Sequence, residues 1–161
     1  MSIDALFGLS ILMSFVAVAL VTRTYLLPRL RVATRRDALT ALVIPHTFRF
    51  AGLSFLVPGV VSPSLSPAFA TPAAYGDFIA AILAVVATLA LSADASWAIG
   101  VVWVFNVWGT LDLLHAIYEG QIGVGISPGS LGAAFYIPTV VVPALLVLHG
   151  LIFWLLLRPR Q

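Results

Sequence analysis

Long runs of apolar residues, interrupted by short polar or proline-rich segments, dominate the chain. An α-helix needs about 20 apolar residues to cross the hydrocarbon core of a bilayer. The runs predict an all-α, polytopic transmembrane helical bundle with five spans, in a single domain covering residues 1–161. The predicted spans are residues 5–22, 38–61, 77–92, 97–118 and 133–157. Because the third run is short, the alternative is four spans with this segment only half-inserted.

Two of the predicted connections are rich in helix-breaking residues. Residues 62–76 contain three prolines and no charge, so we expect an irregular segment in the membrane interface, with Asp77 opening the third helix. Residues 119–132 contain five glycines. They lack both the lysine of a phosphate-binding loop and a preceding strand, so no nucleotide site is predicted.

Basic residues mark the predicted cytoplasmic side. Five arginines fall in residues 23–37, which we expect to form a loop, and Arg158 and Arg160 follow the last span. Cytoplasmic flanks of membrane helices carry an excess of basic residues, which places the N-terminus outside and the C-terminus inside. The expected location is a bacterial-type inner (plasma) membrane.

Composition supports a membrane protein and excludes several kinds of chemistry. Hydrophobic residues make up 61% of the chain and charged residues 9%, which leaves too little polar surface for a soluble globule. All eight basic residues are arginines and seven flank apolar runs, so they indicate topology and not a nucleic-acid partner. The absence of cysteine excludes disulfides and thiolate chemistry. The expected partners are the lipid bilayer and a small-molecule ligand, and an oligomer is compatible with the sequence.

Polar residues in the middle of the apolar runs define the candidate site. At a helix rise of about 1.5 Å per residue, four of them lie roughly 12–16 Å from the inner ends of their helices. Two more lie further out on the fourth span. The candidate ligand or proton site comprises His46, Arg49, Asn106, Asp112, His115 and His149. No catalytic residue and no metal ligand is assigned.

The spacing of these residues also predicts how the helices face one another. On an α-helix, His46, Arg49, Phe50 and Leu53 share one face. The fourth span carries polar groups on two sides, so we expect it to be central. We further expect His46, Arg49, Asn106 and His149 to line one cavity in the inner half of the membrane, since buried polar residues are expensive there.

Three hypotheses for the function follow. The first is binding or translocation of a small solute or of protons, with Arg49 holding an anion such as a carboxylate. The second is a b-type haem electron carrier with His46 and His149 as the axial ligands. The third is a structural membrane subunit with a buried Arg49–Asp112 pair. An enzyme is less favoured, because the sequence lacks the HExxH and serine-elbow motifs.

Overall fold

The fold is a bundle of five long helices, seen in a computed structural model that describes residues 1–158. No β-strand occurs within those residues. All five helices are long and apolar enough to cross a membrane, so the prediction of an all-α bundle with five such helices is confirmed. The helices are α1 (Ile3–Val32), α2 (Arg35–Leu56), α3 (Pro67–Ser92), α4 (Ala98–Gly123) and α5 (Ile137–Leu157).

Helix α1 extends well beyond the predicted span. A π-helical turn at Thr22–Leu26 passes the chain into a last helical segment, Leu27–Val32. Pro28 follows the π-helical turn directly and has no N–H to donate to the preceding turn. The prediction of a loop over residues 23–37 is therefore wrong, since all five of its arginines lie on α1 or α2. Thr34 caps α2 by accepting a hydrogen bond from the Asp37 amide.

Helix α2 changes its winding at Pro45, and this change aligns the site residues. Residues Ile44–Leu56 form a 3₁₀ helix, which has three residues per turn. Every third side chain then lies in one row, and the buried row is His46, Arg49, Gly52 and Phe55. The prediction that Phe50 and Leu53 share the face of Arg49 assumed 3.6 residues per turn and is wrong.

Helix α3 begins ten residues earlier than predicted. Ser66 caps it, Pro67 occupies its first turn, and Pro72 is accommodated inside it. The predicted interfacial segment at 62–76 is therefore mostly helix, and Asp77 lies near the middle of a 26-residue helix. The four-span alternative rested on a short third run, and α3 with its 26 residues is long enough to cross a membrane.

Helix α3, and not α4, is the central element. Half of its most apolar stretch is buried, compared with a third of that of α4. Eight of its twelve buried residues are alanines, including Ala80, Ala84 and Ala87, none of which is exposed. Small residues let helix backbones approach closely, and α3 packs against both α2 and α4.

Helix α1 lies at the periphery of the bundle. It packs mainly on α5 and on the segment before it, with Phe7 edge-on to Phe135. That segment, Pro128–Phe135, is a 3₁₀ helix. Residues 128–132 were predicted to be part of a glycine-rich connection, and residues 133–135 to begin the fifth span. Gly132 forms a kink inside it, with a φ of +54°. A methyl group added at Gly132 would collide with the backbone of Val60.

Two arginines fasten the helix ends at one side of the bundle, called here the arginine end. The Arg35 guanidinium donates to the carbonyl of Leu156 (2.7 Å), which lies in the last turn of α5. Arg36 donates to the carbonyl of Ser92 (2.7 Å) at the end of α3 and pairs with Asp94. A cation at a helix C-terminus satisfies free carbonyls and complements the helix dipole. Arg160 lies outside the described residues.

Candidate functional site

Arg49 is the centre of the site, and its guanidinium group contacts polar groups on α3, α4 and α5. Its Nε donates to Asp77 Oδ1 (2.8 Å) on α3, and its Nη2 to Asp112 Oδ2 (2.5 Å) on α4. Its Nη1 donates to the backbone carbonyl of Gly109 (3.1 Å) and lies 3.3 Å from His149 Nε2 on α5. Only 1% of the side chain is exposed. The predicted Arg49–Asp112 pair is present, and Asp77 is a partner that the sequence analysis missed.

The bonds around His149 fix which of its ring nitrogens carries the proton. A guanidinium only donates, so His149 Nε2 accepts from Arg49. Nδ1 is then the N–H, and it donates to Asn106 Oδ1 (2.7 Å). The Asn106 amide group completes the link by donating to the His149 backbone carbonyl (3.3 Å). Asn106 and His149 thus form a two-point connection between α4 and α5 that supports Arg49.

His46 contacts the network of Arg49, Asp77, Asp112, Asn106 and His149 through its ring, which packs in a cluster with the rings of His149 and Phe105. Its centroid is 4.2 Å from that of His149 and 5.0 Å from that of Phe105. The side chain is fully buried, and neither ring nitrogen has a hydrogen-bond partner. A haem held between two histidines needs the thickness of a porphyrin between the rings. Because these rings are in direct contact and His149 already uses both nitrogens, the pair does not fit a haem.

Three glycines on three helices make room for the charged groups. A methyl group added at Gly52 would overlap the carboxyl group of Asp77, and one at Gly76 would overlap that of Asp112. At Gly109 it would lie 2.7 Å from both Arg49 Nη1 and His149 Cε1. The ionic network therefore occupies the volume that glycine leaves free at each helix contact.

His115 does not belong to the network. Its side chain is 60% exposed and lies 3.7 Å from Glu119, one turn further along α4. Asp112 bonds to Arg49 in the network, whereas the ion-pair partner of His115 is Glu119. Of the six predicted site residues, the structure brings five together and places His115 outside.

A cavity of about 650 Å³ lies between α1 and the other helices, on the side of the network away from the arginine end. Most of its lining is apolar. Asp77 and Asp112 border it, with 11% and 12% of their side chains exposed. Each of them uses one carboxylate oxygen for Arg49. Asp4 also lines the cavity, and no basic residue does.

The cavity differs from the expected one in both position and lining. His46, Asn106 and His149 are packed, with at most 1% of each residue exposed, and none of them borders it. The expectation that these residues and Arg49 line a cavity in the inner half of the bundle is therefore wrong. Asp77 was not among the predicted site residues. The sequence nevertheless singles it out, because it is the only charged residue between Arg49 and Asp94.

Fold and site together define a helical protein with five apolar helices around a buried arginine–carboxylate network. The chain belongs to the family described as "Domain of unknown function (DUF8737)", whose profile matches residues 6–157. No curated protein and no solved structure matches the chain. Within residues 1–158, no three His, Asp or Glu side chains are grouped so as to hold a metal ion.

The close contact at Gly109 leads to a first prediction. Gly109→Ala should lower the free energy of unfolding by about 1–3 kcal/mol, because the added methyl overpacks Arg49 and His149. Gly150→Ala is the matched control, since Gly150 also lies inside a helix but faces open space. Its stability should be unchanged or slightly raised, as alanine is the better helix former. Thermal unfolding in detergent measures both, and equal behaviour of the two variants would contradict the packing.

The charge arrangement leads to a second prediction, which concerns rank order. Arg49→Met should destabilise the fold by about 3–5 kcal/mol, because it leaves two buried carboxylates facing each other. Asp112→Asn should have a much smaller effect, since Arg49 keeps Asp77 as its counter-ion. The triple variant Arg49→Met, Asp77→Asn, Asp112→Asn should recover part of the loss. If Asp112→Asn is as damaging as Arg49→Met, the two carboxylates do not share the arginine.

Proposed function

We propose that this protein is an integral membrane protein that binds a small, largely apolar cation in the cavity beside α1. Asp77 and Asp112 act as the counter-ions of the ligand. The observation that carries the proposal is the meeting of an apolar cavity with two carboxylates that share one arginine.

The charge of the site favours a cation. One guanidinium faces two carboxylates, and His149 is neutral in the tautomer that its hydrogen bonds require. One negative charge is therefore uncompensated when both carboxylates are ionised. In an apolar environment such a charge requires a proton or a cation to balance it.

Arg49 has a supporting role in this proposal. Four of its five N–H groups are already used within the protein, so it offers little to an anionic ligand. It holds the two carboxylates apart at fixed positions and leaves one oxygen of each free. The earlier idea that Arg49 itself binds a carboxylate is less consistent with these contacts.

The packing favours binding over translocation. On the arginine side of the network, Val102, Phe105 and Ile152 are fully buried in a continuous apolar core. The open volume therefore ends at the carboxylates. The Arg49 network, which joins α2 to α3, α4 and α5 through Asp77, Asp112 and His149, also supports a second candidate. This candidate is a structural membrane subunit in which the network only holds the four helices together.

The proposal includes an orientation in the plasma membrane. The arginine end is expected to face the cytoplasm, with the N-terminus and the opening of the cavity outside. In this cysteine-free chain, Ser127→Cys should be labelled by an impermeant maleimide applied to intact cells, and Ala33→Cys should not. A permeant maleimide should label both. Labelling of Ala33→Cys from outside would reverse the orientation.

Ligand binding is tested with a cation and an anion of the same shape. Purified protein in lipid nanodiscs should bind labelled tetraphenylphosphonium saturably, and should not bind tetraphenylborate, because the cavity contains acidic groups only. Asp112→Asn should weaken cation binding at least about tenfold, equivalent to about 1.4 kcal/mol, since it removes the uncompensated charge.

Asp94→Asn is the matched control for Asp112→Asn. Asp94 is an exposed aspartate at the arginine end, and its φ of +54° is one that asparagine tolerates. This variant should bind the cation as the unchanged protein does. If Asp94→Asn and Asp112→Asn affect cation binding equally, or if tetraphenylborate displaces tetraphenylphosphonium, the cavity is not a cation site. The structural role then remains as the candidate function.

A further inference from the structure

We infer that the ligand carries an alkylated ammonium group, quaternary or tertiary, and not a primary amine. This inference rests on the proposed cation site and adds the chemical class of the cation. It comes from the aromatic residues of the cavity and from the small number of hydrogen-bond acceptors at its base.

Phenylalanines line the cavity on several sides. Phe55 follows Gly52 by one 3₁₀ turn in the buried row of α2, and Gly52 lies against the carboxyl group of Asp77. Phe55 also packs edge-on to Phe69 of α3, with ring centroids 5.7 Å apart. These contacts place an aromatic wall beside the carboxylates.

Helix α1 contributes further rings to the cavity wall. Phe7 contacts Phe135, and Phe15 lies eight residues along α1 from Phe7, an advance of roughly 12 Å. Eight residues after Phe135 in the sequence is Pro143 of α5, which lines the cavity. Phe15 and Pro143 therefore lie at a similar level, on the α1 and α5 walls of the cavity that Asp77 and Asp112 also border. Phe7, Phe15, Phe55 and Phe69 all border the cavity.

The hydrogen-bonding capacity of the cavity selects against a primary ammonium. Such a group has three N–H donors, and each needs an acceptor when it leaves water. Near the base, the side chains offer one free carboxylate oxygen each from Asp77 and Asp112. The other side chains there are apolar. A quaternary ammonium has no donor to satisfy, and its spread charge interacts well with aromatic faces.

The available space agrees with a bulky head group. Gly8 of α1 faces the cavity, and nothing lies within 4 Å of where its Cβ would be. A volume of about 650 Å³ lies in the range of pockets that hold small organic ligands. The cavity therefore accommodates an alkylated head group together with an apolar body.

The inference is tested by displacement of labelled tetraphenylphosphonium from the purified protein in nanodiscs. Benzyltrimethylammonium and benzylamine, both cationic at pH 7, differ only in the three methyl groups on nitrogen. The quaternary ion should displace the probe at a concentration at least about tenfold lower, because the site supplies aromatic faces instead of acceptors. Equal potency, or a preference for benzylamine, would overturn the inference.

Aromatic variants separate this inference from the cation site itself. Phe55→Leu should reduce the preference for the quaternary ion to below about threefold, while benzylamine binding changes little. Phe153→Leu is the control, since Phe153 contacts Trp103 and does not border the cavity. It should keep the full preference. An unchanged preference in Phe55→Leu would exclude the aromatic contribution.

The outcomes for the two proposals are distinct. If tetraphenylphosphonium binds and depends on Asp112 but the two amines do not differ, the cation site stands and the alkylated class is wrong. If tetraphenylphosphonium does not bind, the proposed function fails, and this inference fails with it.

Discussion

The ionic contact between Arg49 and two aspartates is the interaction on which the rest of the structure depends. A guanidinium in the apolar interior of a membrane protein is stable only when its charge and its donors are matched. Asp77 and Asp112 supply the charge from α3 and α4, and His149 and Gly109 accept the remaining bonds. One side chain of α2 therefore fixes the relative positions of three other helices.

The backbone is adapted to this contact at two levels. The 3₁₀ winding of α2 after Pro45 keeps His46, Arg49, Gly52 and Phe55 in one straight buried row. In an α-helix each of these residues would be rotated by about 60° from the one before it, and the row would turn away from its neighbours. Glycines at each helix contact then leave the volume that the charged groups occupy. The helices approach closely at these glycines, and the charged side chains fill the space that a larger residue would occupy.

The network divides the bundle into two unlike halves. Toward the arginine end, a core of leucine, valine and alanine is packed and the helix ends are joined by Arg35 and Arg36. On the other side, α1 stands away from α3 and α4 and leaves an apolar volume that ends on two carboxylates. In the proposed function this volume is the ligand site, with the charged groups at its base and the peripheral helix α1 as one wall.

The sequence alone predicted a bundle of five helices long and apolar enough to cross a membrane, because its apolar runs are long and its charges few. It also identified Arg49, Asp112, Asn106 and the buried histidines, since a polar residue inside such a run is rare. The start of α3, the 3₁₀ row and the cavity were decided by tertiary structure. Prolines in residues 62–76 signal a break locally, yet packing against α2 and α4 keeps that segment helical, and only this places Asp77 beside Arg49. The orientation of side chains around a helix depends on its winding and its neighbours, and periodicity in the sequence does not contain either.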